Sequence, residues 1–217
     1  MNPQDPPRSF SSPACSLHEF DEPAGDWDSI RAWRVERRKE RIERRMACKS
    51  AERQEFAARI NAQLHDLLEH FACSVIGIYW PIRGEIDVRE TAQAYLAAGK
   101  RLALPVIVTR GAPVEFWHWQ PGMRMARGIW NIPVPAERAV AAPDLLIVPM
   151  IGYDRLRYRL GYGGGYYDRT LAGASPRPRT IGIARSDAAL ATIYPQSHDI
   201  PMDLVVTEHG VMGDPRA

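Results

Sequence analysis

From Arg159 to Arg169 the chain reads Arg-Leu-Gly-Tyr-Gly-Gly-Gly-Tyr-Tyr-Asp-Arg. Four glycines, Gly161, Gly163, Gly164 and Gly165, fall between a stretch that reads as strand and one that reads as helix. Glycine reaches positive φ at no steric cost and lets the backbone approach a ligand closely. Successive N–H groups can then converge on phosphate oxygens, and the positive end of the next helix adds attraction for the anion. Arg159 and Arg169 flank the loop, and guanidinium groups pair well with phosphate. Asp168 stands just beyond the glycines. A carboxylate there repels a phosphate unless a cation lies between them, and magnesium, which prefers oxygen ligands, suits that place. The spacing matches neither a Walker A loop nor a dinucleotide fingerprint. A loop that only turns the chain needs one or two glycines. The segment therefore reads as the phosphate-binding loop of an ATP-using enzyme.

The other chemically capable residues are more scattered. Cys15, Cys48 and Cys73 are odd in number and far apart, which argues against a disulfide framework or a zinc site. The six histidines show no metal-binding spacing. The net charge is +2, so the molecule as a whole is no polyanion binder, and no apolar run approaches the length of a membrane span. With no basic, apolar leader at the N-terminus, a cytoplasmic location and a monomer are expected.

The elements that must position the loop follow from periodicity. Residues 1–26, rich in Pro and Ser, read as a flexible tail, and 27–217 as one α/β domain. Asp26 or Asp28 is expected to cap a basic helix running to Met46, and Ser50 to cap a second. In the second helix Phe56, Ile60, Leu64, Leu67 and Phe71 form one apolar stripe. Strands are expected at Ser74–Tyr79, Arg101–Pro105, Val114–Trp119, Pro143–Pro149, Thr180–Ala184 and Leu204–Thr207, with helices at Val88–Ala98 and Tyr166–Leu171. Alternating strands and helices imply a three-layer α/β/α fold, a mostly parallel sheet covered on both faces. Ligands of such sheets bind beyond the carboxyl ends of the strands. The loops Trp80–Glu85 and Gly152–Gly165 are expected there.

At the glycine loop the chain closely resembles the 5-formyltetrahydrofolate cyclo-ligase family. The likeness rests on Ile147-Val-Pro-Met-Ile-Gly-Tyr-Asp154 and Arg159–Arg169. It is supported by Tyr79–Glu85, Phe116-Trp-His-Trp119, Gly182-Ile-Ala184 and His198-Asp199 with Asp203–Thr207. It implies an ATP-dependent closure of 5-formyltetrahydrofolate to 5,10-methenyltetrahydrofolate through a phosphorylated formyl oxygen. Carried over by position, Arg34, Arg159, Leu160, Gly161, Tyr162, Gly163, Gly164, Gly165, Tyr166 and Tyr167 hold ATP, with Arg159 and Tyr167 catalytic. Trp80, Glu85 and Tyr166 contact the folate, and Asp168 and Asp199 hold Mg2+. Three positions depart from the family's usual residues. Ile30 stands where a Lys is usual, Val134 where a carboxylate is usual, and Ala188 where a Gln is usual.

Two other readings remain open at this stage. A divergent relative would bind nucleotide but transform another substrate. An RNA-binding module would use the Arg31–Arg45 helix, which carries eight basic and three acidic side chains. A solvated helical face explains such a run as well, so small-molecule substrates and no nucleic acid or membrane partner are expected.

Overall fold

The computed structural model describes residues 25–215, so all but the last two residues of the tail expected at 1–26 lie outside them. In chain order the elements are α1 (Trp27–Ala47), α2 (Ser50–Glu69), β1 (Val75–Gly77), α3 (Ala92–Ala97), β2 (Arg101–Val106) and β3 (Glu115–Trp119). There follow β4 (Met125–Arg127), β5 (Pro133–Pro135), β6 (Val140–Ala141), β7 (Leu145–Pro149), β8 (Gly152–Asp154) and β9 (Arg159–Leu160). The chain ends with α4 (Tyr166–Gly173), β10 (Arg179–Ile183), β11 (Ala189–Leu190), β12 (Leu204–Thr207) and β13 (Gly210–Met212).

Eight strands make the main sheet in the order β13-β12-β10-β7-β1-β2-β3-β6. The five central strands, β12 to β2, run parallel. Antiparallel neighbours β13, β3 and β6 finish the edges. The mostly parallel α/β class expected from the sequence is thus the class observed.

Alternation along each strand divides the core into two layers. Leu145 and Ile147 of β7 join the cluster packed by Ile60, Leu64 and Leu67 of α2 and Tyr95 of α3. Leu146 and Val148, one residue out of phase, join the opposite cluster with Leu171 of α4. At two places the layers leave no room for a Cβ. One added at Gly77 would collide with Leu146 and Phe116, and one at Gly182 with Met150.

Local chemistry sets most helix ends. The Asp26 side chain accepts from the Ser29 N–H at 2.9 Å and so caps α1. Ser50 does not cap α2. Lys49 holds the cap position, with no side-chain bond, and Ser50 is the first helical residue. The expected helix Val88–Ala98 divides into a 3-10 turn, Val88–Thr91, and α3, and Gly99 at φ +75° lies just beyond the Ala98 cap. The segment Gly152–Leu160, expected as loop, is a hairpin of β8 and β9, with β11 beside β8. These strands are two or three residues long, too short for a periodic pattern to reveal. Among the described residues no helix is long and apolar enough to cross a membrane.

Candidate active site

Helix α1 builds one wall of the site. Arg34, Arg38, Arg41 and Arg45 recur at steps of four, three and four, so they share a face. That face is turned inward and donates to loops on the carboxyl edge of the sheet. Arg34 Nε donates to the Ile193 carbonyl at 3.0 Å, and its Nη2 to the Tyr194 carbonyl and to Asp199 Oδ2 at 2.6 Å. Arg38 Nε donates to the carbonyl of Gly161 at 2.7 Å. Arg41 reaches the Asp187 and Ala189 carbonyls. Arg45 donates to the Arg83 carbonyl and the Tyr162 hydroxyl. Half of the basic run that resembled a polyanion-binding face is thus spent inside the protein. Burial, with repulsion from Arg34, pushes the Arg38 guanidinium below its ordinary value.

The glycine loop joins β9 to α4, as expected. Gly163 and Gly165 lie at φ +89° and +61°, in the left-handed region, so here the glycines are a backbone requirement. Gly165 is the residue before the first turn of α4. Arg169 folds back over the loop, donating to the Gly164 carbonyl, with its guanidinium 5.2 Å from the centre of the Tyr166 ring.

Arg159 and Asp168 bracket the loop and meet at 2.8 Å. Arg159 is nearly fully buried, and its Nη1 makes no hydrogen bond within the protein. A buried donor in that state is a place for a ligand oxygen. The same guanidinium lies 5.5 Å from the centre of the Tyr167 ring. Burial, reinforced by the field of Glu85, pushes the Tyr167 phenol well up, so it remains a neutral donor at neutral pH.

Glu85 lies in the loop that follows β1. Its carboxylate accepts from the Ile82 N–H at 2.9 Å and from the Tyr162 hydroxyl at 2.9 Å. Burial raises its carboxyl above the ordinary range, partly offset by Arg45. Tyr162 thereby ties the glycine loop to the loop after β1, with the Arg45 and Arg83 guanidiniums 5.9 and 5.7 Å from its ring. Beneath lies a recess lined by Arg45 of α1 and by Glu85, Pro149, Met150, Ile183 and Arg185, from the carboxyl ends of β1, β7 and β10.

The site residues expected from sequence do not all converge. Glu85, Tyr162, Tyr167, Arg159 and Asp168 form one connected group. Tyr166 stands beside it, its hydroxyl accepting from the Gly111 N–H at 3.4 Å. Trp80 packs edge-on against Trp119 at 6.3 Å and carries Arg89 at 3.9 Å over its ring. Sequence reasoning missed Trp130. It is 61% exposed, sits at φ +57°, and presents its ring to Tyr166 at 5.7 Å. An aromatic in a loop after Gly128 was the only hint.

Asp168 and Asp199, the two carboxylates expected at a metal, each accept from an arginine and from a backbone N–H. Asp199 accepts from Arg34 and from the Gln196 N–H, and Asp168 from Arg159 and the Ile200 N–H. The positive charge beside Asp168 in the structure is the Arg159 guanidinium. Among the described residues no cluster of three metal-ligating side chains occurs.

Fold and site together define an α/β enzyme whose ligand site lies along the carboxyl edge of a parallel sheet, closed by a basic helix and a glycine loop. Residues 30–208 match the model of the 5-formyltetrahydrofolate cyclo-ligase family, and the chain belongs to that family of ligases. It is 33% identical over 138 residues to a 5-formyltetrahydrofolate cyclo-ligase of Mycolicibacterium smegmatis, covering 59% of this chain and 71% of that one. It is 26% identical to an Escherichia coli 5-formyltetrahydrofolate cyclo-ligase, over 76% of this chain and 94% of that one. The solved structure of Aquifex aeolicus 5,10-methenyltetrahydrofolate synthetase superposes with a TM-score of 0.73 at 28% identity, covering 85% of this chain and 93% of that one.

Proposed function

We propose that this protein closes 5-formyltetrahydrofolate to 5,10-methenyltetrahydrofolate at the expense of ATP. The formyl oxygen attacks the γ-phosphorus and ADP leaves. N10 then attacks the activated carbon, loses its proton, and expels the oxygen as phosphate. A formamide oxygen is a poor leaving group until phosphorylated, so catalysis is positioning and charge neutralisation. The observation that carries this reading is the convergence of a phosphate-type loop and a buried carboxylate, joined through Tyr162, on one edge of the sheet.

In this reading the amides of Gly161 to Tyr167 and the free Nη1 of Arg159 hold the nucleotide phosphates. Leu160, fully buried, fixes the loop's base. Glu85 accepts from the polar edge of the pterin, displacing Tyr162. Tyr166 and Trp130 provide the aromatic wall against which a planar ring stacks. Tyr167 donates its phenolic proton to a hydrogen bond and does not act as a base. Arg34 supports the site through Asp199 rather than by touching phosphate. Magnesium arriving with ATP would neutralise phosphate charge, and Asp168, beside the loop, is a carboxylate that could help to hold it.

The test is absorbance of methenyltetrahydrofolate in the near ultraviolet, with purified protein, Mg-ATP and 5-formyltetrahydrofolate. Product that requires ATP supports the reading. A folded protein that binds ATP and forms no product refutes it, and favours a relative acting on another formyl or acyl substrate. That second reading draws on Ile30, which is buried one turn before Arg34 where the family usually carries a cation.

A further inference from the structure

A second recess opens beside the first, beneath the carboxyl half of α1. It is small, with about 30 Å³ of space for water-sized groups, and shares Arg45, Met150 and Arg185 with the recess beside Glu85. Four guanidiniums line it, those of Arg41, Arg44, Arg45 and Arg185, against the single carboxylate of Asp187. Asp187 Oδ2 pairs with Arg44 Nε at 3.0 Å and with Arg185 Nη2 at 2.9 Å. That leaves a clear excess of positive charge.

The donors are not used up. Arg185 Nε and Nη1 and Arg41 Nε are buried and make no hydrogen bond within the protein. Arg185 is held rigid all the same, with its guanidinium 4.4 Å from the centre of the Phe56 ring. Its side chain is only 13% exposed. Buried guanidinium N–H groups without acceptors cost stability unless an acceptor completes them. Burial pushes the Arg41 guanidinium below its ordinary value, with Glu40 and Asp187 opposing the shift and Arg44 and Arg37 adding to it. None of these residues belongs to the glycine loop, and a recess this small has room for an oxyanion but not for a ring system.

We infer that the recess of Arg41, Arg44 and Arg185 is an oxyanion-binding subsite, continuous with the catalytic cleft, that takes a phosphate or carboxylate group. A buried guanidinium fork offers the paired N–H groups that such groups accept. Under the proposed function the cleft supplies two sources of that chemistry. One is phosphate, released at the end of the reaction. The other is a carboxylate of the folate's glutamyl tail. The existence of the subsite rests on the geometry alone, whereas the choice of source rests on the cyclo-ligase reading.

The experiment titrates inorganic phosphate, and separately a tri-γ-glutamate peptide, into the full chain by calorimetry. The proteins are wild type, R185Q, R44Q and the loop variant G163A. Arg44 is 58% exposed, so R44Q keeps the test alive if R185Q does not fold. At least one anion is expected to bind wild type and G163A alike and to weaken tenfold or more in R185Q and R44Q. Phosphate binding assigns the recess to the leaving phosphate, and peptide binding assigns it to the glutamyl tail. Binding by neither anion overturns the inference. So does binding lost in G163A but kept in R185Q and R44Q. Turnover of 5-formyltetrahydrofolate, assayed in parallel, fails or succeeds independently of these titrations, so the two readings fall separately.

Discussion

Arg34 and Asp199, 165 residues apart in sequence, meet at 2.6 Å with side chains only 6% and 10% exposed. Each was expected to serve a ligand, Arg34 the phosphates and Asp199 a metal. In the structure they pair with each other, and in doing so pin α1 against the loop of residues 193–199. Burial works against the Asp199 carboxylate, but hydrogen bonds from Arg34 and the Gln196 N–H outweigh it and hold its carboxyl below the ordinary value.

Removing one partner leaves the other buried and uncompensated. R34A is therefore expected to destabilise the fold by about 3 kcal/mol, the lower end for a broken buried pair. Urea unfolding at pH 7 measures this. The pH dependence has a definite sign. A carboxyl whose folded pKa is depressed contributes stability above its unfolded value, here 3.8, and loses it as pH falls through the lower folded value. Wild type should thus lose this contribution below pH 3.8, and R34A should show a flatter acid limb. Equal slopes in the two proteins would mean the pair contributes nothing.

Gly163 at φ +89° tests the loop. Alanine there costs about 1–2 kcal/mol of backbone strain. An added Cβ meets nothing closer than the Arg38 guanidinium at 3.4 Å, so packing is not the obstacle. The loop is expected to rearrange and withdraw an N–H from phosphate. A lost hydrogen bond to a charged group is worth about 1.5–3 kcal/mol, or roughly ten- to a hundredfold in Kd for ATP. Calorimetric titration of Mg-ATP reads it, and an unchanged Kd would remove Gly163 from the site.

The parts legible in sequence were those with a local cause. The Phe56–Phe71 stripe placed α2, the apolar runs placed the central strands, and four glycines marked the loop. Partner choice was not legible. The sequence shows that Asp168 needs a nearby cation, but only folding reveals that β9 delivers Arg159 to it. Nor can helical spacing tell whether the stripe Arg34, Arg38, Arg41 and Arg45 faces water or the loop carbonyls. Trp130 escaped because its meaning comes from Tyr166, distant in sequence and adjacent in space.

Trp130 separates substrate binding from folding. Its ring is mostly exposed, so W130A should change stability by no more than about 0.5 kcal/mol. Loss of an aromatic contact, worth about 0.5–1.5 kcal/mol, predicts a KM for 5-formyltetrahydrofolate raised roughly two- to tenfold. The KM for ATP should not move. A rise in both would place Trp130 on the nucleotide instead.

Glu85 carries a distinct pH signature. Its carboxyl is raised above 4.5 by burial, so the ionised form is the strained one. A raised acid favours folding below its unfolded pKa and opposes it as pH rises through the folded value. E85Q should therefore gain stability relative to wild type as pH rises across that window. If the ionised carboxylate binds the substrate, kcat/KM of wild type should fall on the acid side at a pH above the usual Glu range. In E85Q that limb should vanish, with kcat/KM depressed throughout. Persistence of the limb in E85Q would assign it to another group.

Gly182 links core packing to the cleft. An added Cβ would lie 2.6 Å from Met150 Sδ, 2.7 Å from its Cε and 3.1 Å from Met202 Cγ. Methionine is flexible and can move aside, at a cost of about 1–3 kcal/mol for overpacking. But Met150 also lines both recesses at the cleft. G182A should therefore lower stability and raise the KM for the folate, although Gly182 lines neither recess. G77A is the comparison, because its Cβ would press on Leu146 and Phe116, which belong to the same core layer as Met150 but line neither recess. It should lower stability by a similar amount and leave KM unchanged. If both variants shift KM equally, the effect comes from general loosening of the sheet, and Met150 has no special part in shaping the cleft.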